Sequence, residues 1–145
     1  MNKSERFAVF VKIRDAKERE AARKLAAHNK HVQDNKDRLA ELEGYLSEYL
    51  DKFKVLAKSG TDAQNIRQCY AFISELNLVI HQQKSAIQEL EQVSNNFRNN
   101  WLRAKTNLEI MDKVICKFRE EEGRMRNKYE QIQNDEHGRS KVKRN

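Results

Sequence analysis

The chain contains no proline, and only four of its 145 residues are glycine. Proline and glycine are the residues that most disfavour helix, so few positions would force a long helix to end. Charged residues make up 35% of the chain and hydrophobic residues 38%, which is too polar for an ordinary globular core of this length. This composition favours a single all-α domain built from long helices, with disorder as the competing interpretation.

Cysteine and long apolar runs are also scarce. Cys69 and Cys116 are far apart and form no CxxC pair, so we interpret them as free thiols in a reducing compartment. No apolar run approaches the ~20 residues that span a bilayer. The short apolar stretch at residues 7–13 is followed at once by charges rather than by a cleavage site. The sequence therefore predicts a cytoplasmic protein with no secretory signal and no transmembrane segment.

Turn chemistry occurs at one place in mid-chain, the segment KSGTD at residues 58–62. Gly60 suits the left-handed conformation that ends a helix. Thr61, followed three residues later by Gln64, matches a capping box that opens the next helix. Gly138 begins a basic segment that we expect to be a flexible tail. The predicted organisation is one coiled-coil hairpin over 1–137, made of a helix at 3–58, a turn at 59–62 and a helix at 63–137, followed by the tail at 138–145.

Apolar residues recur on both sides of this turn with the spacing of a coiled coil. In the second helix two series of every-seventh residues run in parallel over ten heptads, three residues apart. Their predominantly apolar character predicts a coiled-coil seam. The two series are Ile66, Ile73, Ile80, Ile87, Ser94, Trp101, Leu108, Ile115, Glu122, Tyr129, and Cys69, Leu76, Gln83, Leu90, Phe97, Ala104, Met111, Phe118, Met125, Ile132. The seam of the first helix, with spacings of four and three, is Phe7, Val11, Arg14, Glu18, Ala21, Leu25, His28, Val32, Asn35, Leu39, Leu42, Leu46, Tyr49, Phe53, Leu56.

A short turn between two such helices makes them antiparallel neighbours. Folding about Gly60 pairs residues whose numbers sum to about 120, which places Phe7 level with the region of Lys113. The second helix should then extend beyond the first by roughly 20 residues, or ~30 Å. The fold class that follows is a long antiparallel two-helix coiled-coil hairpin, a rod with an overhanging C-terminal helix at its open end.

No catalytic or cofactor motif is visible, so we expect no enzymatic activity and no cofactor. A two-helix rod also lacks the concave volume that most active sites need. His28 and His31 lie three residues apart on one helical face and could form a metal pair, but no further ligands accompany them. The alternative is that His28 is a polar seam residue that helps to set the helix register and that His31 is solvated.

Basic residues are concentrated at the two chain ends. Residues 1–30 contain nine Lys and Arg against four Asp and Glu, and residues 138–145 contain four basic residues and no acid. In the predicted hairpin both regions belong to the open end, where they favour an acidic protein partner or nucleic acid, or form a merely solvated surface. No recognised nucleic-acid-binding element accompanies the charge, so we expect no specific nucleic-acid binding.

Apolar side chains near the turn form a stripe on each helix at one level of the hairpin. Leu42, Tyr49 and Leu76 also belong to the seam and could be core. Tyr45, Phe72 and Val79 lie outside the seam, so they must face either water or a partner. Because tyrosine is a frequent interface anchor, this arrangement favours a protein-binding surface.

The combination of these motifs resembles the FliJ family of flagellar type III export proteins. The resemblance rests on Leu42-x-x-Tyr45-x-x-x-Tyr49, a Ser-Gly turn at 59–60, Tyr70-x-Phe72-Ile73-x-x-Leu76-x-x-x-Ile80-x-x-Gln83, and Trp101. It implies an antiparallel coiled coil similar to the central stalk of rotary ATPases. It also implies binding to the hexameric export ATPase, promotion of its ring assembly, contact with the membrane export gate, and a role in recycling export chaperones. Carried over by position, the gate-binding residues are Leu42, Tyr45, Tyr49, Phe72 and Leu76.

The resemblance assigns no individual ATPase contacts, although the open end is similar to the part of a stalk that enters a ring. It implies a cytoplasmic protein associated peripherally with the inner membrane. Two other functions remain open at this point. One is the equivalent stalk of a virulence type III secretion system, and the other is a coiled-coil scaffold that self-associates without an ATPase partner.

Overall fold

A computed structural model describes residues 2–60 and 62–144, which form two long helices that pack against each other. Helix α1 runs over Lys3–Lys58 and helix α2 over Ala63–Arg144. The described residues contain no strand. The fold is an all-α helical hairpin, so the predicted fold class is confirmed.

Asn2 caps the N-terminus of α1. Its side-chain Oδ1 accepts a hydrogen bond from the backbone N–H of Glu5 at 3.1 Å. Its carbonyl oxygen accepts the N–H of Arg6 at 3.3 Å. These bonds satisfy backbone groups that have no partner inside the first helical turn, which is why the helix begins at Lys3.

Gly60 lies in the left-handed region with a φ of 66°, as predicted for the residue that ends the first helix. Asp62 caps α2, since its Oδ1 accepts the N–H of Gln64 at 3.3 Å and its carbonyl oxygen accepts the N–H of Asn65 at 3.1 Å. The capping box predicted from sequence depended on Thr61, which lies outside the described residues.

Helix α2 continues to Arg144, seven residues beyond the end predicted at residue 137. Gly138, where the tail was expected to start, does not adopt a positive φ. A single glycine costs a helix only about 1 kcal/mol relative to alanine, and no proline follows it to force a break. The division into one hairpin domain and a flexible tail stays a prediction.

Contacts divide the described residues into two compact units, each built from parts of both helices. The loop unit comprises Ala22–Asn100 and contains the connection between the helices. The terminal unit comprises the described residues up to Ala21 and those from Trp101 onward.

The core of the loop unit lies along the predicted seam. Val32 of α1 is buried together with Ile73, Leu76, Ile80 and Ile87 of α2. The remaining predicted seam positions of α1 in this unit are at least half-buried. The heptad pattern therefore identified the apolar face of each helix correctly in the loop unit.

In the terminal unit, Ile115 and Ser4 are buried and the ring of Phe7 packs against that of Phe118. The two ring centroids are 5.0 Å apart in an edge-to-face arrangement. The sequence placed Phe7 level with Lys113, which lies five residues before Phe118. Helical side chains lean toward the N-terminus of their own helix. In an antiparallel pair, the numbers of two residues whose side chains touch therefore add to more than the numbers of two residues whose Cα atoms are level.

The last part of α2 extends beyond its pairing with α1. Ser4, in the first turn of α1, hydrogen-bonds to Glu122, and every residue from Arg124 to Val142 is exposed. We call residues 124–144 the overhang. Its seam positions Met125, Tyr129 and Ile132 are 73%, 63% and 55% exposed, because no residue of α1 lies opposite them.

Candidate functional site

The residues proposed for gate binding share one region of the loop unit, and we call them the near-turn patch: Leu42, Tyr45, Tyr49, Phe72 and Leu76. Tyr45 is 51% exposed and Phe72 is 40% exposed. Leu42 and Tyr49 are half-buried, whereas Leu76 is buried in the seam. The two helices thus bring the patch together, but only part of it is accessible to a partner.

Tyr49 links the two sides of the near-turn patch. Its ring lies 4.3 Å from that of Phe72, centroid to centroid, and is tilted by 40°. The ammonium group of Lys52 lies 4.8 Å from the Tyr49 ring centroid, a favourable cation–π distance. Aromatic pairs and cation–π contacts restrict side-chain rotation, so the patch presents a pre-organised aromatic surface.

The exposed apolar surface continues beyond the near-turn patch. Val79, one heptad after Phe72, is 43% exposed, as expected from its position outside the seam. Leu50, Tyr70 and Leu78 are also exposed in the loop unit, although the sequence reasoning singled out none of them as site residues. Their exposure could have been inferred from the heptad pattern, because none of the three residues occupies a seam position.

Three polar residues of the loop-unit seam, His28, Asn35 and Gln83, pair with each other or with the backbone, whereas the buried hydroxyl of Ser94 has no hydrogen-bond partner among the described residues. The Nε2–H of His28 donates to the carbonyl oxygen of Leu90 at 2.8 Å, and the His28 ring packs against Phe97 at 5.1 Å. The side-chain amide of Gln83 donates to both Oδ1 and the backbone oxygen of Asn35, each at 3.0 Å. His28 is therefore engaged as a polar seam residue, and the described residues contain no group of three possible metal ligands.

Two carboxylates of the terminal unit accept hydrogen bonds across the helix pair. Glu18 accepts the indole N–H of Trp101 at 2.9 Å. Glu122 accepts the backbone N–H of Ser4 at 3.0 Å and the Ser4 hydroxyl at 2.7 Å. These bonds, the backbone one first, lower the pKa of Glu122 below its ordinary value. Sequence reasoning missed Ser4, because it precedes the first apolar seam residue.

The overhang combines exposed seam positions with positive charge. Residues 124–144 contain seven Lys and Arg against three Asp and Glu. The basic residues of the chain's first 21 positions belong to the same unit. No helix of the described residues is both long enough and apolar enough to cross a membrane.

The fold and these surfaces define a coiled-coil hairpin with candidate protein-binding surfaces in both units. A family model described as "Flagellar FliJ protein" matches residues 2–145. The chain therefore belongs to the FliJ family, a non-catalytic export protein family, and it is a component of flagellar type III protein export. No curated protein and no solved structure matches the chain.

Proposed function

We propose that this chain binds the flagellar export ATPase and promotes assembly of its hexameric ring, while also contacting the membrane export gate. It acts as a non-enzymatic binding protein in the cytoplasm, associates peripherally with the inner membrane at the export apparatus, and helps to recycle export chaperones. The match to the FliJ family along the chain supports this proposal, since the resemblance implies each of these roles.

The overhang is the observation that carries the ATPase part of the proposal. It continues the coiled-coil pattern for about 20 residues, or ~30 Å, with no residue of α1 opposite it. Met125, Tyr129 and Ile132 are therefore free to bury apolar surface against another protein. A protein that binds the assembled ring better than its separate subunits shifts the equilibrium toward the ring.

Titration of the chain into the purified export ATPase of the same cell tests the ATPase role. ATP turnover and ring formation would be measured together, with a coiled coil of scrambled seam as the control. We expect saturable stimulation of turnover that follows hexamer formation. If both proteins are folded and turnover does not change, the ATPase part of the proposal is wrong.

The near-turn patch supports the proposed contact with the export gate. Tyr45 and Phe72 expose large apolar side chains, and Tyr49 packs against the Phe72 ring. Buried aromatic residues contribute a large share of binding free energy at many interfaces. Tyr45 and Phe72 are therefore the residues whose removal should weaken gate binding most directly.

The double substitution Tyr45→Ala and Phe72→Ala tests the gate contact. Because both side chains are substantially exposed, we expect helicity to stay nearly unchanged while affinity for the gate's cytoplasmic part falls at least about tenfold. Leu78→Ala is the matched control, since Leu78 is an exposed apolar residue of the same helix outside the patch. Equal affinities of all three proteins would contradict the gate assignment.

A further inference from the structure

The two flanks of the seam in the terminal unit differ in composition. We take the predicted seam residues as heptad positions a and d, so that positions g and c lie on one flank and positions e and b lie on the other. In an antiparallel pair the same letters of the two helices face each other, as Phe7 and Phe118 do at position d. Each flank therefore contains residues of both helices, over about 25 Å along the helix axis.

The flank of positions g and c, which we call the Phe10 flank, carries apolar side chains at its centre. Phe10, Ile13 and Ile110 are 51%, 46% and 52% exposed, and Val114 is half-buried. The Phe10 ring packs against that of Phe7, with the centroids 5.6 Å apart. Phe10 lies level with Val114, because cross-helix contacts in this unit join residues whose numbers sum to about 125. The centre of the flank is thus an exposed apolar patch built from both helices.

Cations outnumber acids around this apolar patch. Five exposed cations occupy the g and c positions of the flank: Lys3, Arg6, Lys17, Arg103 and Lys117. The same positions contain two acids, Glu20 and Glu121, which lie at the two ends of the flank. Each acid is level with a cation, Glu20 with Arg103 and Glu121 with Lys3. The apolar patch itself is therefore bordered most closely by Arg6, Lys17 and Lys117.

The opposite flank, at positions e and b, has neither property. Its four acids balance its four cations, and one of these pairs is an ion pair, Arg19 with Asp15 at 3.0 Å. Leu102, which is 43% exposed, is the one large aliphatic residue at these positions. The acids are Glu5, Asp15, Glu109 and Asp112, and the cations are Lys12, Arg19, Lys105 and Arg119. Positive charge and exposed apolar surface therefore coincide on the Phe10 flank alone.

We propose that the Phe10 flank binds the surface of a membrane that contains anionic lipids. Phe10 and Ile13 enter the boundary between headgroups and acyl chains, and Arg6, Lys17 and Lys117 contact the anionic headgroups. Apolar side chains combined with cations are typical of helices that lie in a membrane interface, and each Lys or Arg near an anionic surface adds electrostatic attraction. The inference rests on the peripheral membrane association proposed above and names lipid as the partner of this surface.

Two features favour a lipid surface over a protein partner. The apolar patch consists of four side chains, whereas a stable protein interface buries roughly 800 Å² on each partner. A fluid lipid surface adapts to a small patch and gains further attraction from the cations around it. The overhang adds seven Lys and Arg against three acids to the same unit. A second copy of the chain would present the same cations and would be repelled.

Binding of the full-length chain to lipid vesicles tests the proposal, and flotation measures the bound fraction. One set of vesicles contains phosphatidylcholine alone, and the other contains phosphatidylcholine with about 30% phosphatidylglycerol, whose headgroup is anionic. We expect partitioning into the anionic vesicles to be at least about tenfold stronger and to fall as salt concentration rises. No binding, or equal binding to both sets, would overturn the inference and leave the flank to a protein partner.

Ile13→Asp and Leu102→Asp form a matched pair that tests which flank contacts the lipid. The two side chains are similarly exposed, at 46% and 43%, and both variants gain the same charge in the same unit, but only Ile13 lies on the Phe10 flank. We expect Ile13→Asp to weaken partitioning into anionic vesicles by about tenfold, with Leu102→Asp changing it far less. Equal effects would show that total charge alone decides binding, and they would contradict the inference.

Lys17→Glu and Lys12→Glu repeat the comparison with charge alone. Both residues are exposed on α1 and both variants change the net charge equally, but Lys17 lies on the Phe10 flank and Lys12 on the opposite flank. We expect Lys17→Glu to weaken partitioning about fivefold more than Lys12→Glu. Circular dichroism should match the wild type for both, because each replaces an exposed side chain. An equal loss would assign the attraction to charge elsewhere, such as the overhang, and would overturn the inference.

The inference and the proposed function can fail separately, because the vesicles contain neither the gate protein nor the ATPase. If the chain binds membranes that contain the gate but not the anionic vesicles, the gate contact holds and the Phe10 flank is wrong. If it binds the anionic vesicles and added gate protein does not increase binding, the flank holds and the proposed gate contact is wrong. Tyr45→Ala with Phe72→Ala should leave vesicle binding unchanged, since both residues belong to the loop unit. A loss of vesicle binding in this double variant would contradict the assignment to the terminal unit.

Discussion

Leu76 and Phe72 lie four residues apart on α2 and belong to the same recognised motif, yet their side chains have different surroundings. Leu76 is buried at a seam position, whereas Phe72 is 40% exposed on the flank of the seam. Glu18 and Glu122 show the same dependence on position, since each occupies a seam position and accepts hydrogen bonds from the facing helix. At the residue scale, heptad position decides whether a side chain packs, pairs or remains available.

Glu122→Gln should weaken the attachment of the first turn of α1 to α2. The lowered pKa of Glu122 means that its contact with Ser4 stabilises the fold above the unfolded pKa of the carboxyl group. This contribution is lost as pH falls through the folded pKa, below the ordinary value of 4.5. The protection of the Ser4 amide against hydrogen exchange, measured relative to the intrinsic exchange rate at each pH, should therefore fall on acidification in the wild-type protein, and should already be reduced at neutral pH in Glu122→Gln. Exposed Glu121 supplies the control, and an equal effect of Glu121→Gln would contradict a specific role of the Ser4–Glu122 contact.

Glu18→Ala should destabilise the terminal unit by about 1 kcal/mol, because the partly buried indole N–H of Trp101 loses its acceptor. Trp101 is the only tryptophan, so its fluorescence reports urea unfolding directly. Glu109→Ala removes an exposed carboxylate of the same unit and should change the unfolding free energy by less than about 0.5 kcal/mol. Identical unfolding curves for the two variants would show that the Trp101 hydrogen bond contributes nothing measurable.

At the scale of the helices, caps and glycines determine where each element starts and stops. Asn2 and Asp62 satisfy the first-turn backbone donors of α1 and α2. Gly60 allows the chain to leave α1, while Gly44 lies inside it without a positive φ. Glycine therefore permits the turn at position 60 and weakens the helix at position 44.

Gly60→Ala and Gly44→Ala should change stability in opposite directions. Apart from the adjoining residues and the backbone of the same helix, no atom lies within 4 Å of a Cβ built on either glycine, so both effects come from the backbone. Gly60→Ala places alanine at a φ of 66° and should cost about 1 kcal/mol. Gly44→Ala should stabilise α1 by roughly 0.5–1 kcal/mol, because alanine loses less backbone entropy in a helix. Thermal unfolding followed by circular dichroism measures both, and shifts of the same sign would contradict this account.

At the scale of the whole molecule, the unequal lengths of the two helices determine how much of α2 is left without a partner helix. Helix α1 has 56 residues and α2 has 82, so part of α2 has no α1 residue opposite it. The overhang contributes exposed apolar side chains and positive charge without contributing to the core. Substitutions in the overhang should therefore weaken binding to a partner without lowering the stability of the hairpin.

The triple substitution Met125→Ser, Tyr129→Ser and Ile132→Ser should abolish stimulation of the export ATPase while leaving the stability of the hairpin nearly unchanged. All three side chains are exposed, and exposed substitutions usually change stability by less than about 0.5 kcal/mol each. Ile115→Ala is the contrasting control, because Ile115 is buried at 4% exposure and its truncation should cost about 3 kcal/mol. Calorimetry together with ATP turnover distinguishes the two effects, and a triple variant as unstable as Ile115→Ala would show that the overhang packs.

The sequence by itself determined the local features of this protein. The absence of proline, the turn residues around Gly60 and the alternating spacings of three and four predicted two helices, their starts at Lys3 and Ala63, and the end of α1 at Lys58. They also predicted which face of each helix is apolar. These properties depend on backbone preferences and on periodicity, both of which can be read along one chain.

Only the tertiary structure decided which apolar positions are buried and which remain exposed. Met125 and Ile115 both occupy predicted seam positions of α2. Ile115 is buried, whereas Met125 is exposed because no residue of α1 lies opposite it. The Ser4–Glu122 contact and the ion pairs Lys36–Glu91 and Lys84–Glu43 likewise join residues far apart along the chain. A side chain is buried or paired only where residues of the facing helix lie opposite it. A heptad pattern shows which face of a helix is apolar, but it does not show which residues lie opposite that face.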